Sequence, residues 1–554
     1  MILAFDFYYV SKNGVLEHLL QEIATDFGIT HKVLRKDSIV TLFVEADENK
    51  LGAFADVLSV SLPLSIFFKS SSVEVVDSMP SEEQTLPALM IPLVFTPKQL
   101  SWVERADSPR YLSPSIFPSA VTMTLLEDEK PSLSVNEPKG YKSVYLRIAE
   151  FIAQGESLCV QCEEGSYVIG KLEQSQMCDA FEVIATDLSV VERMVVCKEN
   201  EIKALASLER PAIRFKINAL FAEKGIISVE RVFLRLADSL FLYHLCKELF
   251  AQGIFFLFKT DSFTCKTTYS LVCEPMLERS VEPVSVSVLE NGEILVLQGM
   301  GYASRALKES LKKFDEPSHA AFASIMQEHA LFDTESSCFY LSKTHDDTIM
   351  NYSKEHGMLN LVTVSLPASF SELFTAIENS SASAKRLVEN YREKFPELYE
   401  KSMQTTIPLD APKNIYTLWQ VVSIVLGMSD TFEKGAEKLI ENAEDYGGEK
   451  GPRMDYYLER EDALSADFDY ARLVRSGMSY KLAGTDDNTL SFGYMESLSY
   501  FISDTADAHR ENLSTKKIAL AGVLFGYKRL SEMVCKNLKP NHTICFNKEL
   551  PIDQ

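Results

Sequence analysis

The residues with the clearest capacity for chemistry lie late in the sequence. They read Lys517-Ile-Ala-Leu-Ala-Gly522-Val523-Leu-Phe525-Gly-Tyr527, then helical spacing through Leu530, Val534 and Leu538, then Pro551-Ile-Asp553. A strand that ends in a small-residue turn and opens a helix is a phosphate-holding design. Glycine lets backbone N–H groups approach an anion, and a helix N-terminus favours negative charge. A second group is His345-Asp346-Asp347, one imidazole beside two carboxylates. It could hold a metal, but aspartate also favours turns, so a polar turn is the competing reading. Cys159-Val-Gln-Cys162 is the one close cysteine pair. A structural zinc needs four ligands, so two packed strand cysteines are expected there. His509 stands alone on a helical stretch, and Gly299-Met-Gly301 lacks the third glycine of a dinucleotide fingerprint.

Composition bounds the functions open to these residues. At 554 residues the chain exceeds one hydrophobic core, and about three or four domains are expected. The formal net charge of −24 argues against nucleic acid, whose phosphates demand clustered Lys and Arg. The most apolar runs, 254–258 and 421–428, fall far short of the roughly 18 residues a membrane-spanning helix needs. Met1-Ile-Leu-Ala-Phe-Asp6 meets an acid before any long apolar stretch, so no secretory leader is expected. The scattered cysteines read as reduced thiols in a cytoplasm.

The elements that must position these groups follow from periodicity. Over 1–77 the spacing predicts a strand from Ile2 to Val10, a helix from Leu16 to Phe27 and a hairpin around Lys36-Asp37. A second helix over 51–60 and a strand over 64–76 complete a βαββαβ, ferredoxin-like order. Residues 78–139 are proline-rich and predict an irregular linker. From 140 to 279 strands and helices alternate: a helix over 144–153, strands over 157–161, 167–169, 181–186 and 211–215, and a mostly helical run over 191–208. From 280 to 554 a hairpin over 284–298 opens a last unit, which also carries apolar helical spacing in Leu418, Val421, Val422, Val425 and Leu426.

In this order the chain resembles the HypF family of hydrogenase-maturation carbamoyltransferases. The family has a Gly-Gly-Val-Phe-Gln-Asn turn where this chain has Gly522-Val523 to Tyr527. It has a helix and a Tyr-Glu-Gly-Gln-Ala-Ala segment in register with Glu433, Gly435, Ala436, Leu439, Glu441 and Ala443. Its finger-like Arg-Tyr…Pro flank matches Arg110-Tyr111 and Pro114, and its YrdC-type strand matches 181–188 with Arg210-Pro211 beyond it. The resemblance implies a multidomain α/β fold. Its parts would be a ferredoxin-like acylphosphatase-type domain (1–77), a linker with a finger remnant (78–139), a YrdC-like domain (140–279) and a TsaD-like domain of the actin/hexokinase (ASKHA) type (280–554).

Carried over residue by residue, the resemblance implies a shortened relative with altered sites. The phosphate-binding arginine of an acylphosphatase falls at Glu17, where a carboxylate repels an anion, and its water-orienting asparagine falls near Arg35. The cations of the YrdC-type ATP site fall on Gln174, Gln176 and Asp179. The second turn glycine is Val523, after Gly522. The finger cysteines fall near Lys98 and Ser101, and the TsaD-type histidines fall in 365–374, which has none. Asp553 aligns with a terminal metal-binding aspartate, and with His345 it is a weak metal candidate. No catalytic residue is expected, and the family's cofactors, ATP with magnesium and zinc, are not expected to bind. The implied role is that of a cytoplasmic accessory protein in [NiFe]-hydrogenase maturation, whose partner is a maturation protein or a hydrogenase subunit. No nucleic acid binding or membrane insertion is expected. An active carbamoyl- or nucleotidyltransferase supplying the group that becomes the cyanide ligand, and a binding protein unrelated to hydrogenase, stay open as alternatives.

Overall fold

The computed structural model describes residues 1–553 except 90, 118–119, 164, 179, 265, 278–280 and 461–465. The chain divides into two compact units, one of residues 1–288 and 292–305, the other of 289–291 and 306–554.

The first unit opens with a four-stranded antiparallel sheet. Ile2–Tyr9 lies between Ile39–Glu45 and Phe68–Val76, and Thr30–Lys36 pairs outside Ile39–Glu45. This is the ferredoxin-like topology expected from the βαββαβ order. The helix Val15–Phe27 buries Leu16, Leu19, Leu20 and Ile23, and Glu48–Ser61 buries Leu51, Phe54 and Leu58. Phe54 packs edge-on against Phe5 and Phe27 at 6.1 and 5.3 Å. Each such buried ring contributes about 1.5–3 kcal/mol.

The segment read as an irregular linker holds more order than its prolines suggest. Thr96 accepts a hydrogen bond from the Gln99 N–H and caps the helix Pro97–Glu104. A proline at the first helical position lacks an N–H that would be unpaired there in any case. Lys98, at an expected finger-cysteine position, bonds Glu22 and Asp26 of the first helix at 2.7 and 2.6 Å. An ion-pair tether therefore stands at that position. Further on, Thr122–Glu127 and Lys130–Val135 form a hairpin that joins the next sheet through Tyr269–Glu274. The central unit thus begins before residue 140.

Among the described residues that sheet has twelve strands. The hairpin Ser285–Val288 and Ile294–Gln298, expected to open the last unit, extends this sheet instead, because Ser285–Val288 pairs in parallel with Ala212–Ile217. The run expected to be mostly helical over 191–208 is a 3-10 turn (Leu188–Arg193), a short strand (Val195–Val196) and the helix Glu199–Leu205. Val190, Val191, Met194 and Val195 are all buried there, a continuous apolar run that periodicity cannot split.

Helix Leu240–Ala251 buries His244 between Tyr145 and Tyr243, with ring centroids at 5.5 and 5.4 Å. Both imidazole nitrogens are buried without a hydrogen bond among the described residues, and burial, with Lys247 adding to it, pushes the pKa down to about 4. An unfolded histidine titrates near 6.5. As pH falls the unfolded chain takes up this proton first, so stability is lost between about pH 6.5 and 4. His244→Phe should remove about 2–3 kcal/mol of the stability difference between pH 6.5 and 4.5. Urea unfolding at both pH values checks this, and equal differences in wild type and variant would contradict it.

The second unit is built on a seven-stranded sheet. Its centre is Thr348–Ser353, Ser336–Tyr340 and Lys517–Ala521, the last two parallel. Helix Ile415–Leu426 is buried around its circumference, apart from a half-buried Gln420. Asn414 caps it, and Trp419 donates to the Tyr456 hydroxyl at 2.8 Å. His509 is also internal, 3.0 Å from Ser337 Oγ and stacked on Phe339.

Candidate functional site

Two parallel strands, Ser336–Tyr340 and Lys517–Ala521, end side by side with Tyr340 opposite Ala521. Two loops leave this point, 341–347 and the turn at Gly522-Val523. The crevice beyond the carboxyl ends of parallel strands is where α/β folds place ligands. The structure brings Gly522, Val523, His345 and Asp553 together here, as the spacing of single motifs could not show. The helix after the turn starts only at Lys528, because a 3-10 turn, Val523–Gly526, buries Leu524 and Phe525 first. The turn therefore does not lie on a helix N-terminus, contrary to expectation.

The anion-facing donors at this point are met by the chain's own carboxylate. Asp553 accepts from the Tyr340 hydroxyl at 2.6 Å, from the Ser342 hydroxyl at 2.7 Å and from the Val523 N–H at 3.3 Å. The segment leading to Asp553 is fixed in turn by half-buried Glu328, which accepts from the N–H groups of Lys548 and Glu549 at 2.8 Å each. Burial pushes the Glu328 pKa up to about 7 against those donors.

The His345-Asp346-Asp347 motif is a structural turn. Asp347 is buried and accepts from the N–H of Ser342 and of Ile415, both at 2.7 Å, which ties the loop to the buried helix. Asp346 accepts from the Lys413 N–H at 2.8 Å. His345 Nδ1 lies 3.9 Å from Asp553 Oδ1 and 3.1 Å from Thr344 Oγ1. Among the described residues no three His, Cys, Asp or Glu side chains are grouped to hold a metal. Sequence reasoning missed Glu437, which receives Lys343 Nζ and the hydroxyls of Tyr416 and Tyr527 at 2.9, 3.0 and 2.7 Å. Its neighbours at Gly435 and Ala436 carried the family register, but nothing in the spacing marked Glu437 itself.

In the first unit the two acylphosphatase positions meet. Arg35 Nε donates to Glu17 Oε1 at 2.6 Å, with Glu17 buried. The expected repulsion by Glu17 is thus corrected: its charge is compensated. The arginine is held by other bonds too, Nη1 to the carbonyls of Tyr9 and Asp37 and Nη2 to that of Ser11. Its donors already have acceptors inside the chain.

On the central sheet Gln174 donates to the Gly155 carbonyl and accepts from the Ser157 hydroxyl, while Gln176 is exposed. Asp179 lies outside the described residues. Cys159 and Cys162 lie on the strand Leu158–Cys162, and their odd spacing sends them to opposite faces, so they do not converge on one metal. Cations that the motif reading passed over stand on neighbouring strands. Arg235 bonds Asp238 and Glu182 at 3.1 and 3.2 Å, and Lys259 bonds Asp238 at 2.8 Å.

No protein-family model matches the chain. A curated protein of Wolinella succinogenes named Protein HydE is 23% identical over 564 aligned residues, which span 100% of both chains. A full-length HypF in its phosphate- and nucleotide-bound form superposes with a TM-score of 0.59 at 13% identity, covering 100% of this chain and 96% of that one. A HypF from T. kodakarensis gives 0.65 at 12% identity, covering 99% and 95%. The chain therefore has the multidomain α/β fold of HypF from end to end. No helix among the described residues is long and apolar enough to cross a membrane.

Proposed function

We propose that this chain is a HypF-like accessory protein of [NiFe]-hydrogenase maturation that works through its surface and no longer transfers carbamoyl groups. The HypF fold and the full-length likeness to Protein HydE support the maturation role. One observation carries the loss of chemistry: groups at the family's anion-binding positions are bonded to the chain itself. Asp553 lies on the Val523 N–H, and Glu17 lies on Arg35. The partner would be a maturation protein or a hydrogenase subunit, met in the cytoplasm.

The test is calorimetric titration of ATP with magnesium into the full chain. Losing two or three charge-assisted hydrogen bonds, each worth about 1.5–3 kcal/mol, weakens binding at least about a hundredfold. No saturable heat is expected at millimolar ATP. A micromolar dissociation constant would overturn this reading and favour an active transferase.

A further inference from the structure

The two edges of the N-terminal sheet differ. Thr30–Lys36 is crossed by the chain that follows the domain. There the Pro80 carbonyl accepts from Lys32 Nζ at 2.9 Å, and Gln84 Oε1 accepts from the Arg35 N–H at 2.6 Å. Phe68–Val76, at the other edge, pairs with Ile2–Tyr9 and with no other strand among the described residues. A register shift falls at its start, between Tyr8 and Tyr9, and from Ser70 to Val76 the register is unbroken. Eight of the nine residues of this strand are exposed, and it holds no proline. Proteins ordinarily guard such an edge with prolines, bulges, lysines or a covering segment, because its unpaired N–H and C=O groups template another strand.

Beside this edge lies a cavity of about 400 Å³. That is within the range of ligand pockets, about 300–1,000 Å³. Phe5, Phe7, Leu16, Leu58 and Phe68 wall it, and no charged side chain lines it. Its exposed lining residues include Ser71, Ser72 and Val73 on the strand, with Ser59 and Leu64 at the end of the second helix and beyond. The mouth therefore runs along the strand. Val73 and Val75 lie opposite Phe5 and Leu3, so they share the face on which the helices pack. They are nevertheless 57% and 66% exposed.

An unpaired strand edge beside an apolar void selects an extended polypeptide. Main-chain bonds hold such a segment, and its alternate side chains reach the void. A small apolar molecule would leave the edge unpaired. A second copy of this chain is disfavoured by charge, since each copy carries −24 and residues 70–77 include Glu74 and Asp77 but no cation. The same acids favour Lys or Arg on the incoming segment. We propose that Phe68–Val76 is a docking edge for an extended segment of a partner protein. The segment adds a fifth strand to this sheet, sets a large apolar side chain in the cavity and carries a basic residue beside it. The site does not depend on the partner's belonging to hydrogenase maturation.

Fluorescence anisotropy with the full chain tests it. The probe is a labelled octapeptide, Lys-Thr-Val-Thr-Phe-Thr-Val-Lys, which alternates apolar and polar residues between two lysines. It should bind saturably, and hydrogen exchange should slow at the amides of 70–76. Val73→Asn keeps the charge and lies at an exposed position, so the fold should hold. It should weaken binding at least about fivefold, because it sets an amide at the apolar mouth. Lys-Thr-Val-Pro-Phe-Pro-Val-Lys, which cannot complete a ladder, should not bind. Glutamates in place of the lysines should weaken binding several-fold, and less so in high salt. The proposal is overturned if the octapeptide shows no saturable binding up to about 1 mM, or if Val73→Asn binds it unchanged. Equal binding of the proline peptide would also overturn it, by assigning the cavity to an apolar group alone. So would sedimentation showing that the chain by itself dimerises through this edge, with Val73→Asn dissociating the dimer.

Discussion

Gly522→Ala should unfold or severely weaken the second unit, lowering stability by about 3 kcal/mol or more. Gly522 has φ of 97° and ψ of 150°, a region that is essentially restricted to glycine. A Cβ there would lie 2.1 Å from the Leu341 carbonyl oxygen. That oxygen accepts from the Leu524 N–H at 3.1 Å, and the Leu341 N–H donates to the Ala521 carbonyl at 2.9 Å. The Gly522 N–H donates to the Ile552 carbonyl, one residue before Asp553. The added methyl would have to part the two strand ends and the segment carrying Asp553 together. Val523→Gly, which restores the family's second glycine, should lower stability by no more than about 1 kcal/mol. Urea unfolding of both variants checks the pair. A Gly522→Ala midpoint within error of wild type would show that the close approach is not required. The contrast also says why Gly522 is present: it serves a contact within the fold, as well as any anion.

The sequence made the N-terminal domain legible because its strands and helices each carry one clear period. Leu16, Leu19, Leu20 and Ile23 repeat at helical spacing, and Gly14 and Gly28 bracket the helix with positive φ. The central unit was less legible where local signals compete. Pro97 reads as a breaker until Thr96 is recognised as its cap. The hairpin at 285–298 reads correctly as a hairpin, but which sheet receives it depends on the distant strand Ala212–Ile217. The sites show the same limit. Glu17 and Arg35 were each assigned by register, one as a repulsive group and the other as a lost asparagine. Only the fold shows that they lie 2.6 Å apart. Asp553 was read as a metal candidate, and the fold shows it accepting from two hydroxyls and an N–H, with His345 Nδ1 3.9 Å away.

The most direct measurement is hydrogenase activity in a bacterium that carries this chain with a [NiFe]-hydrogenase, after its gene is deleted. The account predicts that activity falls to a small fraction of the parent's, because the maturation step loses a protein it needs. Wild-type chain should restore it. Val523→Gly should restore it equally, since on the proposed reading Asp553 already accepts from the Val523 N–H and the extra glycine serves no ligand. Parental hydrogenase activity in the deletion strain would contradict the maturation role.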